Sequence, residues 1–220
     1  MDNQFLLRVP LFHAVEPENL TSLLAAMEAV TRNCVKGETI LQAGAHTNRL
    51  YLVLSGGVTV ENHDAWGNRS ILGHVAPGQV FAETYACLPE QPMMVSATAS
   101  QDTALLSLNT TALLEQSCPQ RDLILKNLLR ITAEKNLALS RRIFYTSSKT
   151  IRGRLLSYLS DQSVLQRSLT FSIPFDRQQL ADYLGVDRSA LSNELSKLRR
   201  EGLLIARKNR FSLLTQTDLP

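Results

Sequence analysis

Residues 175–214 have the sequence FDRQQLADYLGVDRSALSNELSKLRREGLLIARKNRFSLL, from which the fold of the C-terminal part of the chain can be predicted. Asp176 stands at a helix N-cap, and Gln179 follows it at the spacing of a capping box. Gly185 offers the left-handed residue that ends a helix, and Asp187 begins a second one. The pattern predicts two helices joined by a tight turn and followed by a basic hairpin, which is a winged helix-turn-helix.

The second helix has two chemically different faces. Leu191, Leu195 and Leu198 recur at helical spacing and are expected to pack inward. The opposite face carries side chains suited to base edges and phosphates, so the motif predicts binding to double-stranded DNA. A solvated charged helix, or a winged helix that contacts protein, is the alternative that the motif leaves open. The residues expected at the DNA are Arg177, Arg188, Ser189, Ser192, Asn193, Lys197, Arg207, Lys208 and Arg210.

Charge is distributed unevenly along the chain. Residues 1–118 contain 5 Lys+Arg and 11 Asp+Glu, whereas residues 119–220 contain 18 and 9. The net charges of −6 and +9 indicate that only the C-terminal part meets a polyanion. No run approaches the roughly 18 apolar residues that span a bilayer, and no signal peptide is evident, so we expect a cytoplasmic protein without a membrane partner.

The motifs argue against an enzyme and against a metal site. The segment GHVAPGQ, residues 73–79, has the glycine spacing of a phosphate loop but ends in Gln79 where the lysine is needed. Cys34, Cys87 and Cys118 form neither a CxxC pair nor a zinc-binding spacing, so we expect reduced thiols.

The N-terminal part has strand periodicity. Glu16-Pro17 favours a helix start within residues 11–30, and short apolar runs broken by turns then extend from about residue 32 to residue 109. Gly56-Gly57 predicts a hairpin between two strands, and Trp66-Gly67-Asn68 and Ala76-Pro77-Gly78 predict further turns. These runs predict an antiparallel β-roll or jelly roll of about eight strands.

Residues 110–147 have helical periodicity, with Pro119 near the start of a long helix. One stripe (Ile124, Leu128, Ile131) is expected to pack on the β-roll, and a second forms a heptad seam that predicts a homodimer. A broad core stripe within one chain is the alternative. The predicted fold class is α+β, with a β-roll domain at 1–118, a dimerisation helix at 119–147 and a winged helix at 148–220. The seam residues are Leu125, Leu129, Thr132, Asn136, Leu139 and Ile143.

This order of elements resembles the Crp/Fnr superfamily, the catabolite activator and fumarate-nitrate-reductase regulators. The resemblance extends over nearly the whole chain and is carried by PLFHAVEPENLTSLL (10–24), YLVLSGGVTV (51–60), APGQVFAE (76–83) and QQLADYLGVDRSALSNELSKLRREGLL (178–204). It implies a homodimeric transcription regulator that binds a pseudo-palindromic DNA site, responds to a small effector and has RNA polymerase as a further partner. It also implies a positioning helix at Phe175–Leu184, a recognition helix at Arg188–Arg200 and a wing at Leu203–Leu214.

The effector cassette departs from the cyclic-AMP-responsive members of that family. Their Gly-Glu pair reads Ala82-Glu83 here, and their phosphate-binding Arg-Ser pair reads Met93-Met94. A buried phosphate against two thioethers has no charge partner, which argues against cyclic AMP. The best-known relatives also use Arg, Glu and Arg to recognise a TGTGA-type half-site, and this chain has Ser189 and Asn193 at the last two positions.

The residues that bind the family's other sensory cofactors, an iron–sulfur cluster and haem, are also not found at the corresponding positions of this sequence. The first cysteine is Cys34, so the N-terminal cluster of the iron–sulfur members is absent and no iron–sulfur cluster is expected. The Cys and His of the haem-type sensor correspond to Ala82 and Thr84. Haem held elsewhere stays an alternative, with His13, His46, His63 and His74 as the only imidazoles.

By resemblance, the effector pocket is expected between the β-roll and the long helix. Paired methionines favour a neutral or apolar ligand, and Glu83 would orient a donor group on it. The alternative is a collapsed pocket in a regulator that binds DNA without an effector. The pocket residues are Glu83, Met93, Met94, Arg142 and Tyr145.

Overall fold

A computed structural model describes residues 2–63 and 69–214. The chain forms two compact units, Met1–Glu134 and Lys135–Pro220, and the boundary between them falls inside the long helix. The domain boundaries predicted after residues 118 and 147 therefore do not coincide with the single boundary between Glu134 and Lys135. In the described residues, no helix is long and apolar enough to cross a membrane.

The first unit is an antiparallel β-roll with helices before and after it. Its two four-stranded sheets have the orders β1-β8-β3-β6 and β2-β7-β4-β5. The strands are β1 Val30–Cys34, β2 Thr39–Leu41, β3 Arg49–Ser55, β4 Val58–His63, β5 Arg69–Val75, β6 Val80–Phe81, β7 Ser96–Ala99 and β8 Thr103–Asn109. The helices are α1 Asn3–Leu6, a 3₁₀ turn Pro10–Phe12, α2 Pro17–Ala26, α3 Glu83–Cys87, α4 Thr110–Glu115 and the start of α5 Arg121–Thr146. The prediction of an eight-stranded roll is confirmed.

Strand β3 is buried on both faces, which explains its continuous apolar sequence. Leu50 and Leu52 join the core formed with the N-terminal helices and α5, whereas Tyr51 and Val53 join the core between the two sheets. Successive side chains of a strand point to opposite faces, so one strand serves both cores.

The predicted hairpin at Gly56-Gly57 is wrong. β3 pairs with β8 and β6, and β4 pairs with β5 and β7, so the glycines connect strands of different sheets. Gly56 has φ +85°, and a Cβ there would lie 2.4 Å from the Asp102 carbonyl oxygen. The glycines permit a close crossing at the corner of the roll rather than a two-residue turn. The turn predicted at Trp66-Gly67-Asn68 lies outside the described residues.

The helical segment predicted at 110–147 is interrupted. α4 ends at Glu115, Gln116 is extended, and α5 begins only at Arg121. Pro119 disfavours helical backbone at the residue before it, and Gln120 has φ +58°. The Gln120 side chain accepts a hydrogen bond from the Glu16 amide at 3.0 Å, which joins this break to the start of α2.

The second unit is a winged helix. α6 Ile151–Leu165, α7 Arg177–Leu184 and α8 Arg188–Arg200 pack with a three-stranded antiparallel sheet of order β10-β11-β9. The strands are β9 Thr170–Ser172, β10 Leu204–Arg207 and β11 Arg210–Leu213. The core of this unit contains Leu155, Leu180, Leu195 and Phe211, together with Tyr145 from the end of α5.

Candidate nucleic-acid interface

The helix-turn-helix is held by the local signals that the sequence predicts. The Asp176 carboxylate accepts from the Gln179 amide at 2.8 Å, and the Gln179 side chain accepts from the Asp176 amide at 2.9 Å, so the capping box is confirmed. Gly185 ends α7 at φ +63°, and Asp187 accepts from the Ala190 amide at 2.9 Å to start α8. These caps satisfy amides that a short helix leaves unpaired.

The two faces of α8 are separated as expected. Leu191, Leu195 and Leu198 are buried, and Arg188, Ser189, Asn193 and Lys197 are exposed, with Ser192 half-buried. Some of the polar side chains are already bonded: Ser189 donates to Asp187 at 2.5 Å, and Lys197 lies 3.5 Å from Glu194. The Arg188 and Asn193 side chains make no hydrogen bond within the described residues, so they are free to reach base edges.

The Ser189–Asp187 contact has an electrostatic consequence. The Ser189 hydroxyl, followed by the Ala190 amide, holds the pKa of Asp187 below its usual range. An ionised carboxylate at the N-terminus of α8 is favoured by the helix dipole. Because its hydroxyl hydrogen points to Asp187, Ser189 offers a base mainly its acceptor lone pairs.

The wing is a tight hairpin that presents three cations. Arg207 pairs across the strands with Arg210, and the two-residue turn between them contains Lys208 at φ +50°. Asn209 exchanges hydrogen bonds with Ile173: its side chain donates to the Ile173 carbonyl at 3.1 Å, and its carbonyl accepts from the Ile173 amide at 2.9 Å. Sequence reasoning missed Asn209, although an Asn in a short turn is a recognisable signal.

A cleft of about 770 Å³ lies between the start of α7, the start of α8 and the wing turn. The Arg177 guanidinium lies 5.1 Å from the Phe211 ring centroid, and its Nη1 atom is buried without a partner in the described part of the chain. Burial, with a smaller contribution from Arg199, lowers the pKa of Arg177. The other lining residues are Pro174, Phe175, Asp176, Gln178, Gln179, Arg188, Lys208 and Asn209.

The residues predicted for an effector pocket have different environments. In the first unit, Glu83 and Met93 are buried at 5% and 4% exposure, whereas Met94 is 78% exposed. The methionines therefore do not act as a pair. Ala82, at φ +61°, begins the helical turn that carries Glu83.

Arg142 and Tyr145 have partners inside the second unit. Tyr145 is 2% exposed, donates a hydrogen bond to Asp161 and meets the Tyr158 ring edge-on at 5.4 Å. Burial and Asp161 raise the pKa of Tyr145 above its usual range. Arg142 donates to the Tyr183 carbonyl at 3.2 Å. These two side chains are therefore engaged in the winged helix.

The seam of α5 has an apolar surface that the single chain does not cover. Leu129, Leu139 and Ile143 are 70%, 62% and 69% exposed. Ile124 and Leu128, on the other stripe, are buried in the core of the first unit. The remaining seam positions are Leu125 and Thr132, which are partly buried, and Asn136, which is exposed.

Three of the four imidazoles relevant to the haem alternative, His13, His46 and His74, have described side chains. In the described residues, no group of three or more His, Cys, Asp or Glu is placed to hold a metal ion. His74 contacts the Thr59 hydroxyl at 3.2 Å, and His13 and His46 are exposed.

Comparisons with known proteins agree with both units. The family model for the cyclic nucleotide-binding domain matches residues 31–116, and that for the Crp-like helix-turn-helix domain matches residues 153–219. The Cyclic AMP receptor protein of Thermus thermophilus is 28% identical over 198 residues, which are 89% of this chain and 88% of the relative. The transcriptional activator protein FnrL of Cereibacter sphaeroides is 23% identical over 203 residues, 87% and 80% of the two chains. The crystal structure of the Thermus thermophilus catabolite activator protein gives a TM-score of 0.50 at 26% identity, with 93% of each chain covered.

Proposed function

Because the chain belongs to the Crp/Fnr family of DNA-binding transcription regulators, we propose that it works as a homodimer on a pseudo-palindromic site and responds to a small effector other than cyclic AMP. Two recognition helices related by a twofold axis would enter successive major grooves about 34 Å apart. The proposal places the protein in the cytoplasm, with double-stranded DNA as its main partner and RNA polymerase as a second one.

The observation that carries DNA binding is the exposed polar face of α8 beside a cationic cleft, with Arg188 and Asn193 making no hydrogen bond within the described residues. Arg177 lines the cleft too, but the chain covers its Nη1 atom, which cannot meet a phosphate as it stands. Arg188 and Lys208 line the same cleft, and Arg207 and Arg210 extend the positive surface along the wing. The cleft therefore suits the DNA backbone, beside a recognition helix that suits its bases.

Base readout is assigned to Arg188 and Asn193. Arginine pairs bidentately with guanine and asparagine with adenine. Ser189 has a short, uncharged hydroxyl where the relatives that recognise TGTGA have a glutamate, so it cannot accept from cytosine as a carboxylate would, and the half-site of this protein is expected to differ from TGTGA.

The homodimer is supported by the exposed seam on α5. Exposed leucine and isoleucine at heptad spacing are stabilised when a second helix covers them. Asn136 lies at an exposed seam position, where an asparagine favours one register and one oligomeric state.

The effector is proposed to bind in the β-roll beside Glu83 and Met93. A buried thioether stands at the place of the phosphate-binding arginine, which disfavours a cyclic nucleotide and favours an uncharged ligand. The burial of both side chains also supports a second candidate: a regulator whose pocket is filled by Met93 and which binds DNA without any effector.

Selection from a random DNA library tests the DNA-binding proposal. We expect a pseudo-palindromic site whose half-site is not TGTGA and whose affinity falls steeply with salt. Recovery of TGTGA half-sites would refute the base assignment, and the absence of any salt-sensitive binding would refute DNA binding.

Calorimetric titration with cyclic AMP and cyclic GMP tests the effector proposal. We expect no binding in the micromolar range. Tight binding of either nucleotide would overturn the argument that Met93, at the place of the phosphate-binding arginine, disfavours a cyclic nucleotide. Native mass spectrometry of protein purified from its own host then separates the two candidates, because a retained ligand adds mass and a filled pocket adds none.

A further inference from the structure

The C-terminal end of α7 requires hydrogen-bond donors. The last carbonyls of a helix have no partner within it, and they form the negative end of the helix dipole. Here the Val186 amide donates to the Ala181 carbonyl at 3.0 Å, and the Gly185 amide donates to the Asp182 carbonyl at 3.3 Å. The carbonyls of Tyr183, Leu184 and Gly185, which form the turn before the recognition helix, need donors from elsewhere.

Two arginines from outside the helix-turn-helix supply these donors. Arg142, near the end of α5, donates from Nε to the Tyr183 carbonyl at 3.2 Å and from Nη2 to the Asp182 carbonyl at 3.5 Å. Its guanidinium also lies 5.6 Å from the Tyr183 ring centroid. Arg154, on α6, donates from Nη1 to the Leu184 carbonyl at 3.1 Å and to the Gly185 carbonyl at 3.0 Å. Two guanidinium groups thus donate hydrogen bonds to four consecutive carbonyls, those of residues 182–185.

The same contacts attach the turn to the segment that follows α5. Arg154 donates from Nε to the Ser148 carbonyl at 2.9 Å. Gly153 allows this approach, because a Cβ at that position would lie 2.0 Å from the Ser148 hydroxyl oxygen. The Tyr145 ring, three residues after Arg142, is buried against Tyr158 and attaches the end of α5 to α6.

We propose that Arg142 and Arg154 are positioning residues that set the orientation of the recognition helix from the end of the long helix. We call the two side chains and their four carbonyl acceptors the arginine clamp. Charge-assisted hydrogen bonds to consecutive carbonyls fix the direction of the turn, and α8 begins at Arg188, three residues after Gly185. A rotation of the end of α5 would therefore turn α8 with it. The inference rests on the proposed function, since it needs a DNA site recognised by α8.

The test is DNA binding by Arg142→Gln, measured by fluorescence anisotropy on the selected site and on a scrambled duplex of equal length, over a range of salt concentrations. Base readout depends on the orientation of α8, whereas non-specific binding depends on phosphate contacts alone. We expect the affinity for the selected site to fall about tenfold, as the loss of charge-assisted hydrogen bonds implies. Affinity for the scrambled duplex should stay within about twofold, and the salt slope should be unchanged.

The matched control is Arg141→Gln. It removes the same charge from the neighbouring residue, whose side chain makes no hydrogen bond in the described residues. It should behave as the wild type. Arg142→Lys should restore part of the specificity, because one ammonium reaches the Tyr183 carbonyl without the second contact. If circular dichroism shows that Arg154→Gln is folded, it should show the same loss of specificity. If that variant is unfolded, the result for Arg142→Gln alone tests the inference.

The outcomes separate the clamp from its alternatives. Unchanged binding of Arg142→Gln to the selected site would overturn the inference while leaving the proposed function intact. Equal loss on both duplexes would indicate a general effect on folding, and a smaller salt slope would indicate a direct phosphate contact; either would also overturn it. A wild-type protein without any preferred site would overturn the proposed function and this inference together.

Discussion

Replacing Leu129 and Leu139 by aspartate is expected to convert the protein from a dimer to a monomer. Both side chains lie on the seam of α5 and are 70% and 62% exposed in the single chain. In a parallel pair of helices each would be covered by its counterpart, so the double variant places four carboxylates at the seam of one dimer.

The size of the effect follows from the exposed surface. Full burial of a leucine side chain contributes about 1.5–3 kcal/mol. Since about two-thirds of each side chain remains to be covered, the contribution is roughly 1–2 kcal/mol per leucine. Four leucines per dimer give roughly 4–8 kcal/mol, which weakens dimerisation by about 10³- to 10⁶-fold. Repulsion between the carboxylates adds to this loss.

Sedimentation velocity on the wild type and the variant measures the outcome. The wild type should sediment as twice the chain mass of 24.5 kDa and the variant as a single chain. Leu137→Asp makes the same chemical change at a leucine outside the seam, 52% exposed, and should leave the dimer intact. If the double variant remains a dimer, or if Leu137→Asp dissociates it, the seam is not the interface.

Four further predictions concern the winged helix. Arg188→Ala should reduce the free energy of DNA binding by about 1–3 kcal/mol. In a competition assay with substituted sites the loss of discrimination should fall mainly at one base pair, whereas an equal loss on all sites would mean that Arg188 contacts a phosphate. Lys208→Ala should weaken binding to all sequences alike and reduce the salt slope by about one, whereas a new preferred sequence would mean that the wing contacts bases. Asp176→Ala should lower the free energy of unfolding in urea by about 1 kcal/mol, and an unchanged midpoint would contradict the role of its capping box. The pKa of Asp187 is lowered in the folded chain, so its cap stabilises the protein above the pKa of the unfolded chain and loses that effect as the pH falls through the folded pKa. Asp187→Asn should therefore flatten the acid side of a plot of unfolding free energy against pH. An acid side identical to that of the wild type would refute the contribution of Asp187.

Part of the candidate site could be predicted because its signals are local. The capping box of Asp176 and Gln179, the left-handed Gly185 and the cap at Asp187 each depend on residues within four positions, so their spacing alone predicts α7 and α8. The helical spacing of Leu191, Leu195 and Leu198 likewise predicts which face of α8 is buried.

The arrangement of the β-roll depended on contacts that sequence spacing does not contain. Gly56-Gly57 has the local form of a hairpin, but strand pairing joins β3 to β8 and β4 to β7, between residues at least 35 positions apart in the chain. Met93 and Met94 are adjacent and chemically identical, and only the packed roll makes one buried and the other exposed.

The sequence by itself determined the family, the order of the elements and the DNA-facing side of α8, because each rests on periodicity or on a short motif. The environments of Arg142, Tyr145 and Arg177 depend on tertiary contacts and could not be predicted from sequence spacing. Arg142 and Tyr145 join the winged helix because the carbonyls at the end of α7 and the Asp161 carboxylate meet them there. Long side chains such as these bind whichever acceptors the fold brings within reach, and those acceptors lie far away in the sequence.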